Sequence, residues 1–291
     1  MKFGKVSNPE TVDFSLPEDQ YFNNKTSDAF KKHVGFPRWS KKDLPGLYPK
    51  GIKDELAYYS EQLNAIELNA TYYNTFPAEQ IAKWRDRTEK GFLFFPKVHQ
   101  YISHIKRLTD TGDAVEKYAD SVAHFEEKLG ISFLQMHDNF DPSNIKRLAA
   151  FAEKWPKGIR LAIELRHGGW YSDPVINNEL LHIFKENGVS TVITDTAGRR
   201  DLVHMQLSTN HAFVRFVGCD HPVDFERLND WSRRLIKWKN SGLESFNLFV
   251  HQNQEIEAPQ LSKHFIRQIN RESDINHPEP HTKESGQTSL F

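Results

Sequence analysis

Cysteine is nearly absent. Cys219 stands alone among 291 residues, which leaves it no partner for a disulfide framework. Long apolar runs are missing too: none approaches the roughly 18 residues that a membrane helix needs. Met1 is followed by KFGKVSNPE, with no apolar core of signal-peptide length. These absences predict a reduced, cytoplasmic protein with no membrane partner. Neither sign of charge dominates, since 38 lysines and arginines face 39 aspartates and glutamates for a net charge of −1. That balance weighs against nonspecific nucleic-acid binding by the whole surface and leaves a local basic cleft open. Glycine-rich phosphate turns are lacking as well, because GFPRW offers one Gly where a dinucleotide fingerprint needs three. No GxSxG elbow and no HExxH helix occurs.

What the chain does have is an alternation of short apolar runs with helical patterns. Runs fall near 33 to 36, 64 to 68, 92 to 96, 131 to 136, 160 to 165, 189 to 194, 212 to 217 and 246 to 250. Their length and their β-branched and aromatic content are those of parallel strands buried on both faces. Between them, Val115, Tyr118, Val122, Phe125 and Leu129 draw one apolar stripe at helical spacing. Ile145, Leu148, Phe151, Ala152 and Trp155 draw another, and Phe225, Leu228, Trp231 and Leu235 a third. A spacing of about 30 residues between strands is that of a strand, crossover helix and loops, and eight such units predict a single TIM-type (β/α)8 barrel. A doubly wound open sheet is the alternative. The expected organisation is an irregular N-terminal arm over 1–30, the barrel over 31–270, and a flexible tail over 271–291.

Several of the runs stop on charged or amide side chains: AIELN on Glu67 and Asn69, FLFFPK on Lys97, LAIELRH on Glu164, Arg166 and His167, and STVITD on Asp195. AFVRFVG carries Arg215 near its end. Polar groups thus gather at one end of the sheet, the end where α/β barrels keep their chemistry. Residues two apart on a strand share a face, so Glu67 points with Asn69 and Glu164 with Arg166. A carboxylate at a barrel mouth can act as general base, bind a metal or orient a hydroxyl. It can equally belong to a structural ion network, Glu164 with Arg166 or Glu67 with Lys97, and both readings stand at this point.

The segment IELNATYYNTFPAEQIAKWRDRTEKGFLFFPKVHQYISHIKRL resembles the signature of the domain of unknown function 72 (DUF72) family: Glu-x-Asn-x-Thr-Phe/Tyr-Tyr, a Trp in the following helix, Phe-x-Phe-x-x-Lys, then Thr/Ser-His. WSKKDLPGLYP, IELRHGGW, the TD pair and FVRFVG extend the similarity over roughly residues 33 to 270. The resemblance implies a TIM-type barrel related to sugar isomerase and endonuclease IV-like barrels, without an established reaction. The matching positions are Trp39, Tyr48, Glu67, Asn69, Thr71, Tyr73, Lys97, His104, Glu164, Arg166, His167, Trp170, Asp195, Arg215 and Asn253. Of these, Glu67, Lys97, His104, Glu164 and Asp195 are the catalytic candidates, and Trp39, Asn69, Tyr73, Arg166, His167, Trp170, Arg215 and Asn253 the substrate-binding ones. Three places depart from the pattern. Val217 stands where the family has His before Gly, Gln252 and Asn253 where it has an Asn pair, and Met136, His137 and Asp138 where it has Leu-Pro-Pro.

Lys97, Arg166 and Arg215 at three strand ends suit an anionic substrate with hydroxyls, since Arg can grip a phosphate or carboxylate through two parallel hydrogen bonds. Trp39, Tyr73 and Trp170 are of the type that stacks on a base or sugar ring, and also of the type that packs under loops. A divalent metal has ligand types available in Glu67, Glu164, Asp195 and the histidines His99, His104, His137, His167 and His251. Three competing cations and the lack of close ligand spacing rank it below a metal-free anion site.

The C-terminal stretch NRESDINHPEPHTKESGQTSLF is polar until Leu290 and Phe291. It reads as a linker with an apolar tip. Gln287, Leu290 and Phe291 in QTSLF resemble the Gln-x-x-Leu-Phe peptide by which bacterial repair and replication proteins dock to the DNA sliding clamp. Three functions therefore follow as expectations: an enzyme of hydrolase type on nucleic acid or a nucleotide and recruited by the clamp; an isomerase- or epimerase-like enzyme on a phosphorylated or acidic sugar; or a noncatalytic anion-binding module.

Overall fold

A computed structural model describes residues 5–19, 30–252 and 257–282. Eight parallel strands follow one another around a barrel: β1 (Lys31–Phe36), β2 (Ala65–Leu68), β3 (Leu93–Pro96), β4 (Ser132–Gln135), β5 (Leu161–Glu164), β6 (Ser190–Thr196), β7 (His211–Val217) and β8 (Ser245–His251). The strand order is sequential throughout. β8 returns to β1 with Gly35 opposite Phe249, and β3 meets β4 through bridges at Phe94 with Leu129 and Lys97 with Phe133. The protein is a single TIM-type barrel, and the open-sheet alternative fails at those two closures.

The period of two along each strand sorts the side chains. Val34, Phe36, Ile66, Leu68, Phe94, Leu134, Ile163, Ile193, Val214, Phe216 and Leu248 face outward into one continuous core beneath the helices. Ala65, Phe95, Ile131, Phe133, Ala162, Val192, Phe213 and Phe249 face inward and form a separate plug inside the barrel. Within it the Phe95 and Phe249 rings meet edge to face at 4.9 Å, and Phe133 lies 5.4 Å from Phe213.

The helices are α1 (Glu55–Gln62), α2 (Ala70–Tyr73), α3 (Ala78–Asp86), α4 (Gly112–Ala123), α5 (Ile145–Lys154), α6 (Gly169–Ser172), α7 (Pro174–Glu186), α8 (Val223–Asn240) and α9 (Ala258–Glu272). The predicted stripes bury as expected: Val115, Tyr118 and Val122 on α4, Leu148, Phe151 and Ala152 on α5, Leu228, Trp231 and Leu235 on α8. One repeat departs from the pattern. The connection from β6 to β7 holds only a short turn, Arg200–Leu202, in place of a helix.

Residues 5–19 run beside that connection. Phe14 packs with Ala197 and Cys219, and Arg200 donates to the carbonyls of Asp13, Phe14 and Ser15. Asp19 anchors the arm on α8, accepting from Trp238 Nε1 at 3.0 Å and pairing with Arg234 at 2.7 Å. At the other end, residues 273–282 stay against the barrel: Ile275 and His277 are buried, and the His281 backbone donates to Gln62. Gln287, Leu290 and Phe291 lie outside the described residues.

Gly35 of β1 pairs with Ala65 of β2, and a Cβ there would come within 2.1 Å of the Ala65 carbonyl oxygen. Because that obstacle is backbone in a closed barrel, Gly35→Ala should destabilise the protein by about 1 to 3 kcal/mol or more in urea unfolding. Unchanged stability would show that the strands can separate at this point.

Candidate functional site

At the carboxyl end of the barrel, Glu67 of β2, Glu164 of β5 and Arg215 of β7 converge from three sides. Glu67 and Glu164 are almost wholly buried. Arg215 donates to Glu67 through Nε (2.9 Å) and Nη2 (3.0 Å), and to Glu164 through Nη1 (2.8 Å). The second oxygen of Glu164 accepts from Arg166 Nε at 2.6 Å. Glu67 also accepts from Asn69 Nδ2 at 3.0 Å and from His251 Nε2 at 2.9 Å. Burial would raise both carboxyls. The guanidiniums overcome it, so that Arg215 and His251 hold Glu67 well below its ordinary value, and Arg166 and Arg215 hold Glu164 at about 2. Burial also keeps the His251 imidazole neutral, below its usual range, against the pull of Glu67.

Lys97, just past the end of β3, enters this network from the side. Its buried amine donates to Gln135 Oε1 at 3.0 Å and stands 4.5 Å above the Tyr72 ring centroid, with Phe133 beneath at 5.7 Å. Neither carboxylate lies within ion-pair distance of it. Burial, joined by the positive charge of Arg215, pushes Lys97 down to about 8 against the upward pull of Glu67 and Glu164. His104 lies on the one-turn π-helical segment Tyr101–Ile105 and packs edge-on against Tyr72 at 5.3 Å, with Nδ1 bonded to Ser103 Oγ at 2.8 Å. Burial and the nearby Lys97 charge push the imidazole down to about 4. Among the described residues, the inward-facing ions therefore comprise two carboxylates, two guanidiniums and Lys97, one positive charge in excess while Lys97 is protonated.

The structure thus brings together Glu67, Asn69, Lys97, His104, Glu164, Arg166 and Arg215. It does not bring Asp195 to them. Thr194 pairs in register with Arg215 and shares its inward face, so Asp195 points outward, where Arg227 (2.8 Å), Trp231 Nε1 (2.8 Å) and Arg200 bind its carboxylate. The Arg227 guanidinium is sandwiched there between the Phe14 and Phe216 rings. Trp170 is fully buried, donates to the Phe140 carbonyl at 2.7 Å and offers no face to a ligand. Trp39 packs edge-on against Trp84, and His167 accepts from the Gly169 backbone. Tyr73 is 62% exposed and edge-on to Tyr72. Asn253 lies outside the described residues. Tyr72 and His251 are the residues that strand-end reasoning did not single out for substrate contact. Tyr72 stands two places before Asn74 on a short helix, and His251 is the register partner of Val217, beside the position where the family pattern carries His.

Among the described residues, no three His, Cys, Asp or Glu side chains group in a way that could hold a metal ion, and no helix is long and apolar enough to cross a membrane. A cavity of about 340 Å³ opens at the opposite, amino-terminal end of the barrel, lined by Lys31, His33, Arg160, His211 and Asn247. The aromatic plug separates it from the mouth. The candidate site is the mouth, where the ions converge.

Arg215 is what makes the two carboxylates tolerable. Arg215→Met leaves buried charge uncompensated and should lower stability by roughly 3 to 5 kcal/mol. The Glu164 contribution has a definite pH sign: its folded value lies below the ordinary 4.5, so the stabilisation is present above about 4.5 and is lost as pH falls toward 2. Urea unfolding of wild type and Glu164→Gln should therefore differ in slope across that window. Parallel pH profiles would contradict it.

Residues 33–284 match the model of the family described as protein of unknown function DUF72. The UPF0759 protein YecE of Escherichia coli is 26% identical over 251 residues, covering 79% of this chain and 89% of that protein. The UPF0759 protein YunF of Bacillus subtilis is also 26% identical over 251 residues, covering 75% and 87%. A crystal structure of a DUF72 family protein from Enterococcus faecalis superposes with a TM-score of 0.69 at 20% identity, over 87% of this chain and 99% of that one. One from Thermotoga maritima does so with 0.67 at 19% identity, over 82% and 99%. With a family match across most of its length and a barrel of the same fold, this chain belongs to the DUF72 family.

Proposed function

We propose that the barrel mouth binds a small anionic ligand bearing hydroxyl or carbonyl groups, in the manner of an enzyme that moves protons on a phosphorylated or acidic sugar. The observation that carries this reading is the surplus cation. The two carboxylates are already neutralised by Arg215 and Arg166, while Lys97 has no carboxylate partner within ion-pair distance among the described residues. A buried ammonium in that position gains by taking an anion from solvent, and an amine held near 8 changes protonation close to working pH. Glu67 and Glu164 are poor proton acceptors by comparison. Their oxygens are hydrogen-bonded and their charged forms are stabilised, which supports isomerase- or epimerase-like chemistry over hydrolysis driven by a carboxylate base.

Calorimetric titration with inorganic phosphate, glucose 6-phosphate, gluconate, AMP and a short oligothymidylate tests the reading. Phosphate or a sugar ligand should bind, and Lys97→Met should weaken that binding at least about tenfold, roughly 1.4 kcal/mol. Affinity should fall as pH rises through about 8, where Lys97 loses its proton. Absence of binding, or equal binding by the variant, sinks it. Preference for AMP or the oligothymidylate would favour the nucleotide or nucleic-acid reading instead.

Clamp recruitment is a separate proposal that rests on Gln287, Leu290 and Phe291 in the sequence. A synthetic peptide of residues 280–291 should bind a bacterial sliding clamp at about micromolar strength, and replacing Leu290 and Phe291 by Ala should abolish it. Binding that survives the double replacement would contradict docking through those two side chains.

A further inference from the structure

The geometry around Lys97 points to covalent chemistry: Lys97 Nζ forms a reversible Schiff base with the carbonyl carbon of an anionic aldehyde or keto compound held in the mouth. This rests on the reading of the mouth as an anion site and names the substrate class that the site would take.

Three features of the described residues converge on it. The amine is buried yet free of any carboxylate contact; its one hydrogen bond goes to a neutral amide oxygen, that of Gln135. A lysine tied to a carboxylate is held as ammonium and is a poor nucleophile, whereas one set among aromatic rings and beside other cations is activated. Lys97 has both activating features, with Tyr72 and Phe133 about its amine and Arg215 and Arg166 as neighbouring charges. At pH 7 a lysine titrating at about 8 carries about 300-fold more neutral amine than one at the ordinary 10.5. Lower basicity takes back part of that gain in nucleophilicity. The third feature is the fixed field of the two carboxylates.

The step balances without a co-reactant. The amine nitrogen bonds to the carbonyl carbon, and a proton passes from nitrogen to the former carbonyl oxygen, giving a carbinolamine. That hydroxyl takes a second proton and leaves as water while the nitrogen lone pair closes the C=N bond. Counted from the ammonium, one ammonium and one carbonyl give one iminium and one water. The iminium carries the same single positive charge at the same place as the ammonium. The attraction of Glu67 and Glu164 that pulls Lys97 toward its charged form therefore acts on the product as well. His104 packs edge-on against the same Tyr72 ring over which the amine stands.

The probe is glyoxylate, the smallest anionic aldehyde, with cyanoborohydride to reduce any imine irreversibly to a secondary amine. The full chain is labelled at pH 7 to 8 and the modified lysines are located by peptide mass mapping. Residue 97 should be labelled at least about tenfold faster than an exposed lysine such as Lys146, and inorganic phosphate should slow residue 97 alone. Labelling confined to exposed lysines overturns the proposal. The two readings fail separately: phosphate binding by calorimetry without label on residue 97 removes the Schiff base and leaves the anion site, whereas label on residue 97 without phosphate binding removes the anion site and leaves the reactive amine. Because the wild-type protein gives the decisive map, no variant needs to fold.

Discussion

Two carboxylates buried inside a barrel repel one another and lose most of their hydration, so everything at this mouth depends on Arg215 sitting between them. Its guanidinium reaches Glu67 with two nitrogens and Glu164 with the third, a planar fork that an ammonium cannot reproduce. Such a cluster is weak evidence of net stabilisation, because replacing buried ions by well-packed apolar groups is often neutral. What it provides is a fixed charge pattern in a low-dielectric setting. Given Arg215, the second guanidinium of Arg166 completes the neutralisation, and Lys97 is left as the ion whose protonation the surroundings can tune.

The barrel is built to hold that pattern still. The phenyl plug of Phe95, Phe133, Phe213 and Phe249 closes the interior below the ions, and both Lys97 and Arg215 rest their charge over the Phe133 ring. Outside, the helix-free connection between β6 and β7 is braced differently from the rest. Asp195 gathers Arg200, Arg227 and Trp231, while Phe14 of the N-terminal arm covers the ring of ions from the solvent side. That second ion cluster orders the arm and the end of β6. It acts on the mouth only through the backbone of the strand.

Much of this was legible in the sequence, for a physical reason. Buried parallel strands must be apolar on both faces, so a charged residue ending such a run marks the strand end directly. All eight strands fall on predicted runs, and Glu67, Lys97, Glu164 and Arg215 meet where the runs stop. What the strand-end signal lacks is the face. In STVITD the charge falls on the odd position of the alternation, and the inward side chains are Thr194 and Thr196; Asp195 serves α8 instead. The ligand contact expected of Trp170 is blocked by its burial, whereas Tyr73 is exposed beside Tyr72. A tryptophan just past a strand end is as readily a packing residue as a stacking platform, and of two adjacent tyrosines on α2 only the turn of the helix decides which faces the amine. The missing sixth helix was visible in retrospect as a short interval, since β7 begins 21 residues after β6 begins, fewer than a strand, helix and loops require.

Lys97 is proposed as the tunable surplus cation of a site whose other described charges are already matched. The most direct test is nuclear magnetic resonance of the protein labelled with nitrogen-15 at its lysine amines, titrated with and without phosphate. One lysine, assigned by Lys97→Arg, should titrate with a midpoint near 8 that moves upward when phosphate is present, because the anion favours the ammonium. A midpoint at the ordinary lysine value of 10.5, unmoved by phosphate, would contradict it.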